Sequence, residues 1–414
     1  MLSLPVGLRT LAIVQAGGAG SRMDVLTRER AKPGLPFAGT HALLDFPLSS
    51  LVASNVTDVW VSVQYQSSTL DTYLAGGRPW DLDRTHGGFR RITPEQGSGG
   101  PQDDGFSHGN ADGLFRLRDQ IAEFDPDVLL VLSADHVFST DLRPIIARHV
   151  ERGAECTIVT AEVGVQEARH NMVVTSGRDG LVSGVDYKPS STSNGTVAVE
   201  IFLYEPTAMV TELERLRRRL HQEADEHGDT GLGDFGEHLV PALVERGKVY
   251  ADPLTGYWKD VGRPETYLQA HRDLLAGRID VFDHPDRPVL SPGVVGPPAW
   301  FGAEADVTDS MVGPASRVRG TVRRSVLGPR VEVQSGAVVE DSVLMGDTVV
   351  RSGASVRTAV VDTGVTVARD ATVGASPASR RLTGDVVTLV GQDSRIGRGA
   401  EVPPGSRLEP GTTV

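Results

Sequence analysis

Apolar residues in the first two thirds of the chain come in short runs rich in branched side chains: Leu11–Val14, Val59–Val63, Val128–Leu132 and Thr157–Val163. Between them lie longer stretches, such as Gly113–Phe124 and Pro144–Arg152, in which apolar positions recur every three or four residues. The short runs predict buried strands and the longer stretches predict helices. Their alternation predicts an α/β fold with a largely parallel sheet covered by helices, whose ligands sit beyond the carboxyl ends of the strands. Leu213, Leu216 and Leu220, set among Glu212, Arg215, Arg217, Arg218 and Arg219, mark one more amphipathic helix with a solvated basic face.

The pattern changes near residue 285. Between Phe282 and Pro298 five prolines (Pro285, Pro288, Pro292, Pro297 and Pro298) interrupt regular structure, so 282–299 reads as a linker between a domain at 1–281 and another at 300–414. Beyond it, aliphatic residues return every five to seven positions: Val307, Val312, Val318, Val326, Val333, Val338, Val343, Val349, Val356, Val361, Val367 and Val373. Turn residues fill the gaps, as in Gly328-Pro329, Gly336-Ala337, Gly346-Asp347 and Gly353-Ala354. A period near six with one inward aliphatic per flat face is that of a parallel β-helix, in which each coil buries its neighbour's apolar face.

Composition narrows the chemistry. The chain has 414 residues, 54 acidic against 41 basic, and a net charge of −13, which argues against nucleic acid as a partner. Acidic and basic residues balance after residue 300, so the excess belongs to the first domain. A single cysteine, Cys156, excludes an intrachain disulfide. No apolar run approaches the ~18 residues of a membrane span and no signal-type segment opens the chain, so a cytoplasmic protein with no membrane partner is expected. All 11 histidines precede residue 285. The repeat therefore lacks the base that an acyltransferase β-helix uses, and a structural or oligomerising role is expected for it. Only four of the 41 cationic residues are lysines, namely Lys32, Lys188, Lys248 and Lys259, so each retained lysine is informative.

The first strand runs into Gln15-Ala16-Gly17-Gly18-Ala19-Gly20-Ser21-Arg22, whose glycines let backbone amides approach phosphate oxygens. The turn lacks the Gly-Lys-Ser/Thr ending of a P-loop and the spacing of a dinucleotide fingerprint. Arg22 and Arg30-Ala31-Lys32-Pro33 place three cations close behind it. Asp135 follows the Val128–Leu132 strand at its carboxyl end, a place for either a turn aspartate capping a helix or a carboxylate facing a ligand.

These segments occur in one order with Leu44-Asp45-Phe46-Pro47-Leu48-Ser49, Gln64-Tyr65-Gln66-Ser67, Gly109-Asn110-Ala111-Asp112, Ser133-Ala134-Asp135-His136, Lys188-Pro189, Gly233-Asp234-Phe235-Gly236 and Tyr257-Trp258-Lys259-Asp260-Val261-Gly262. Together they resemble the sugar-1-phosphate nucleotidyltransferases, and within them the bacterial ADP-glucose pyrophosphorylases, over nearly the whole chain. The resemblance implies a Rossmann-like nucleotidyltransferase domain followed by a left-handed parallel β-helix, and assembly as a homotetramer. It implies attack of a sugar 1-phosphate on the α-phosphorus of a nucleoside triphosphate, with Arg22, Lys32, Asp135, Lys188 and Asp260 as the catalytic set. Asp135 and Asp260 are the implied Mg²⁺ ligands, and Arg22 and Lys32 hold the triphosphate. Ala16, Gly17, Gly18, Gly20, Gln64, Gly109 and Asp112 form the implied nucleotide pocket, and Asn171, Lys188 and Glu200 the sugar-phosphate pocket. ATP and glucose 1-phosphate are the favoured substrates, with ADP-glucose for glycogen-type glucan synthesis as product.

The chain also departs from the family. The arginine of a Pro-x-Gln-x-Arg loop is missing after Pro94-Glu95-Gln96, where Gly97-Ser98-Gly99-Gly100 follows, and a tyrosine is replaced by Ser107. A Phe-Gly pair is His170-Asn171, Val-Glu-Lys-Pro is Asp186-Tyr187-Lys188-Pro189, and the glycine of a Ser-x-Gly strand motif within Ala198–Phe202 is Glu200. Glu29 replaces an activator-site lysine. Nucleotide and metal handling are expected to be intact and sugar choice altered. The alternatives are a different sugar phosphate or nucleotide, or a non-catalytic regulatory subunit; retention of Asp135, Lys188 and Asp260 argues against the last.

Overall fold

The computed structural model describes residues 7–18, 20–94, 105–220, 230–279, 281–376 and 382–414. The Gly97–Gly100 departure lies outside the described residues. Among the described residues, nine strands form the main sheet. At its centre, Thr10–Gln15 pairs in parallel with Asp58–Ser62 on one side and Val128–Ser133 on the other. Alternate side chains of these strands feed separate cores. Ala12, Val14, Leu130 and Leu132 join one, while Leu11, Ile13, Leu129 and Val131 join the other, all essentially without exposure. Burial on both faces explains why the strands read as continuous apolar runs rather than alternating ones.

Beyond Val128–Ser133 the sheet turns antiparallel. The long strand Thr196–Tyr204 runs against both Val128–Ser133 and Cys156–Glu162, and Met172–Ser176 pairs with Val182–Tyr187 as a hairpin. The sheet is thus mixed, parallel around the first strand and again where Val249–Pro253 pairs with Cys156–Glu162. The helix expected over 113–124 is two, Asn110–Arg116 and Arg118–Phe124, and the one at Pro144–Arg152 spans Arg143–Glu151.

From Trp300 onward the described residues coil into three parallel sheets of six strands each. Equivalent positions stack directly: Val318 on Val333, Val333 on Val350, and Val350 on Val367. The expected period holds, with a local shift of phase. Val339 and Val350 point inward, with no exposure, beside the half-buried Val338 and Val349.

One β-helix sheet is buried on both sides. Leu327, Leu344, Val361 and Val390 fill the interior, while Val326, Val343, Val360 and Leu389 pack outward against Met23, Val25, Phe37 and Val281 of the first domain. Arg30 reaches across to Asp362 at 2.6 Å, and Arg272 pairs with Asp341. The proline-rich stretch is itself anchored, since the Ser49 hydroxyl accepts from Leu290 N at 2.8 Å and Trp80 Nε1 donates to Leu290 O at 3.2 Å. No helix among the described residues is long and apolar enough to cross a membrane.

Candidate active site

Register assembles the site. Gln15 lies opposite Ser133 at the aligned carboxyl ends of the two central strands, and Ala134 N donates to Gln15 O at 3.1 Å. The glycine turn and Asp135 therefore leave the sheet side by side, at the rim of a cleft of about 460 Å³. Ala16, Gly17, Gly18, Arg22, Lys32, Gln64, Gly109, Asp135, Asn171, Lys188 and Glu200 all line it. Gly17 has a steric reason to be glycine, because a Cβ there would fall 2.8 Å from Gln64 Nε2. Gln64 in turn accepts from Ser107 N at 2.8 Å, holding the wall formed by residues 105–109.

Lys32 is buried and forms an ion pair with Asp135. Asp135 also accepts from the Ser133 hydroxyl. Burial opposes ionisation of Asp135, yet the Lys32 ammonium, His136 and these hydrogen bonds hold it well below the ordinary carboxylate range. Asp260 arrives through a second pairing. The short strand Trp258–Asp260 runs antiparallel to His136–Phe138, with Asp260 opposite His136, which brings Asp260 Oδ1 to 3.8 Å from His136 Nε2. Asp260 also accepts from Gly262 N at 2.6 Å.

His136 stands inside the Ser133–His136 segment, but no local pattern marks it as a site residue. It is 3% exposed, and its Nε2 faces Asp135 at 3.6 Å and Glu200 at 3.8 Å as well as Asp260. Burial works against protonation, but the three carboxylates prevail and raise its pKa. Glu200, open to the cleft on one side, is raised by desolvation at the cleft wall and by Asp135 and Asp260, with His136 opposing. One ligand atom each from Asp135, His136 and Glu200 lies within 4.8 Å of the others, a donor set that fits a divalent cation.

Two expected nucleotide residues sit outside the cleft lining. Asp112 is fully buried, accepting from His108 N at 2.9 Å, Arg116 Nε at 3.0 Å and the Thr230 hydroxyl at 2.8 Å, so it braces the loop. Gly20 caps the short helix Ser21–Thr27 at φ 67°. Its neighbour in the Gly109–Asp112 segment, Asn110, does more than the sequence revealed. Asn110 Oδ1 accepts from Phe235 N at 2.6 Å, and Gly109 approaches Gly233 so closely that a Cβ would fall 2.3 Å from the Gly233 backbone. The Gly233–Gly236 segment thereby enters the cleft wall through Asp234, Phe235 and Gly236.

At the sugar end, Lys188 N donates to Asn171 O at 3.1 Å, and Lys188 Nζ lies 3.9 Å from Asp234 Oδ2. The Tyr187 hydroxyl donates to Asp234 Oδ2 at 2.5 Å, and its ring packs on Gly236, where a Cβ would clash at 2.2 Å. Lys259 does not join the cluster; it pairs with Glu167 Oε1 at 2.8 Å.

Residues 11–277 match the family model described as nucleotidyl transferase, and residues 297–388 match that of the GlmU-like C-terminal hexapeptide, a left-handed β-helix repeat. A glucose-1-phosphate adenylyltransferase of Clostridium beijerinckii is 32% identical over 80% of this chain and 84% of its own length. The protein of that name from Acetivibrio thermocellus is 27% identical over 98% of this chain and 94% of its own length. The cleft at the carboxyl ends of the central strands, with its glycine turn, cations and Asp135, and Asp260 beside it outside the lining, falls wholly inside the first match, and the chain belongs to the nucleotidyl transferase family.

Proposed function

We propose that the protein joins ATP to glucose 1-phosphate, releasing pyrophosphate and giving ADP-glucose. The observation that carries this reading is the meeting of Asp135, Lys32 and Asp260 around His136 at the mouth of the glycine turn, beside a cleft of about 460 Å³. In this reading an oxygen of the sugar phosphate attacks the α-phosphorus, the bond from that phosphorus to the β-phosphate bridge breaks, and pyrophosphate leaves. Two anions must meet, so the protein has to supply positive charge in fixed places. Amides of Ala16–Gly18 and the side chains of Arg22 and Lys32 receive the triphosphate. Lys188, anchored beside Asn171, receives the sugar phosphate. Asp135 and Asp260 would hold Mg²⁺, which when bound offsets charge on the phosphates. The names of the curated relatives support the choice of substrates. A homotetramer assembled through the β-helix and a cytoplasmic setting belong to the same proposal.

A second reading, another sugar 1-phosphate, is favoured by Tyr187, whose ring and bond to Asp234 occupy the sugar end of the cleft. A panel of nucleoside triphosphates and sugar 1-phosphates assayed with Mg²⁺ for pyrophosphate release decides between them. ATP with glucose 1-phosphate is expected to give the highest kcat/KM, and Asp135→Asn is expected to lower it about 10³-fold. No turnover with any pair would end the enzymatic reading.

A further inference from the structure

The cleft floor carries more negative charge than a two-carboxylate cation site needs. Thr196–Tyr204 shifts register against Cys156–Glu162 between Ala198 and Phe202, and inside that irregularity Glu200 takes φ +54°. A side chain at such a φ is uncommon, and irregularities of this kind re-aim a residue. Here the result is a carboxylate turned toward Asp135 and Asp260. A second, separate feature points the same way. His136 is buried, and its Nδ1 lies 3.1 Å from Val199 O and 3.3 Å from Trp258 Nε1. Nδ1 is thereby engaged by Val199 and Trp258, and Nε2 is the ring nitrogen turned toward the carboxylates. That nitrogen faces the three carboxylates at 3.6 to 3.8 Å and makes no hydrogen bond among the described residues. A histidine whose other ring nitrogen is held by neighbouring groups is oriented as metal-binding histidines are.

We propose that Glu200 is a third carboxylate of the cation site, and that Asp135, His136 and Glu200 together take a divalent cation before any nucleotide binds. The inference rests on the proposed function only in placing the cation at Asp135. A Mg²⁺ site built on one or two carboxylates depends on substrate phosphates to fill its coordination shell. An added carboxylate and an imidazole nitrogen remove that dependence and suit Mn²⁺. Lys32 occupies Asp135 Oδ2, and Asp135 Oδ1, which accepts from the Ser133 hydroxyl, still lies within 4.8 Å of ligand atoms of His136 and Glu200.

The test is a titration of Mn²⁺ into the full chain without nucleotide or sugar phosphate, read by electron paramagnetic resonance as free Mn²⁺. One Mn²⁺ per chain is expected to bind the wild-type protein, with Kd raised at least tenfold in Glu200→Gln. Glu200→Gly is expected to do the same, and as glycine accepts φ +54° without strain, its melting temperature separates loss of a ligand from loss of fold. Binding in both variants as tight as in the wild type overturns the inference, as does the absence of Mn²⁺ binding by the wild type without nucleotide. Glu200-dependent Mn²⁺ binding in a protein that turns over no substrate pair upholds the inference while the nucleotidyltransferase reading fails.

Discussion

The β-helix and the catalytic domain solve the problem of placement at very different ranges. In the β-helix a residue's partner is one coil away: Ser342 N donates to the Ser325 hydroxyl, 17 positions back. In the catalytic domain Lys32 and Asp135, which form the central ion pair of the cleft, are 103 positions apart. The first arrangement spreads stability over many equivalent valines and gives none of them a chemical task. The second concentrates chemistry in a few side chains whose positions depend on distant strands being in register. Substitutions in the two regions should therefore fail in different ways.

The largest effect is expected for Val339→Asp, which buries an unpaired carboxylate in the coil interior. A loss of about 4 kcal/mol or more in urea unfolding is expected, against about 0.5 kcal/mol for Val338→Asp next to it on the outer side. Equal losses would show that the interior assignment is out of phase. Lys32→Ala should act chiefly on the chemistry, lowering kcat/KM for pyrophosphate release about 10²- to 10³-fold, with a smaller stability loss of about 2 kcal/mol from leaving Asp135 unpaired. A large drop in melting temperature with unchanged kcat/KM would remove Lys32 from the chemistry.

Arg30→Ala probes the seam between the two regions. It strips the partner from Asp362, whose side chain is 2% exposed, and is expected to cost about 3 kcal/mol, most of it recovered by the double variant with Asp362→Asn. An absence of recovery would show that the pair does not join the domains. The smallest effect concerns Asp45, fully buried where the Tyr73 hydroxyl donates to it at 2.7 Å. Burial pushes its pKa from 3.8 to about 7. The folded state then binds the proton more tightly than the unfolded chain. The associated stability is complete below about pH 4 and is lost as pH rises through about 7. Between pH 5 and pH 8 the wild type should lose several degrees more in melting temperature than Asp45→Asn. Parallel curves for the two proteins would contradict this.

The residues legible from sequence were those whose neighbours along the chain carry the signal. The glycine turn, Asp135 after its strand and the valine period belong to this group. Asp112 shows where such reading stops, since its segment was recognised, but only the fold shows His108, Arg116 and Thr230 closing over it. His136 carries no signal of its own, because nothing local shows that three carboxylates converge on its Nε2. The phase shift at Val339 and Val350 was equally hidden, as adjacent valines look alike until one is known to face inward.

By itself the sequence determined that a helix-covered, largely parallel sheet is followed by a parallel β-helix, and which segments bear phosphate chemistry. These are matters of local period and local composition, and burial along a whole strand, every third or fourth residue of a helix or every sixth residue of a coil writes them directly into the chain. Tertiary structure alone decided that Asp260 stands opposite His136, that an irregular strand turns Glu200 toward Asp135, and that Val326, Val343, Val360 and Leu389 face the first domain. Each of those depends on the pairing of remote segments, where a shift of one residue would send the same side chain to the other face of its strand.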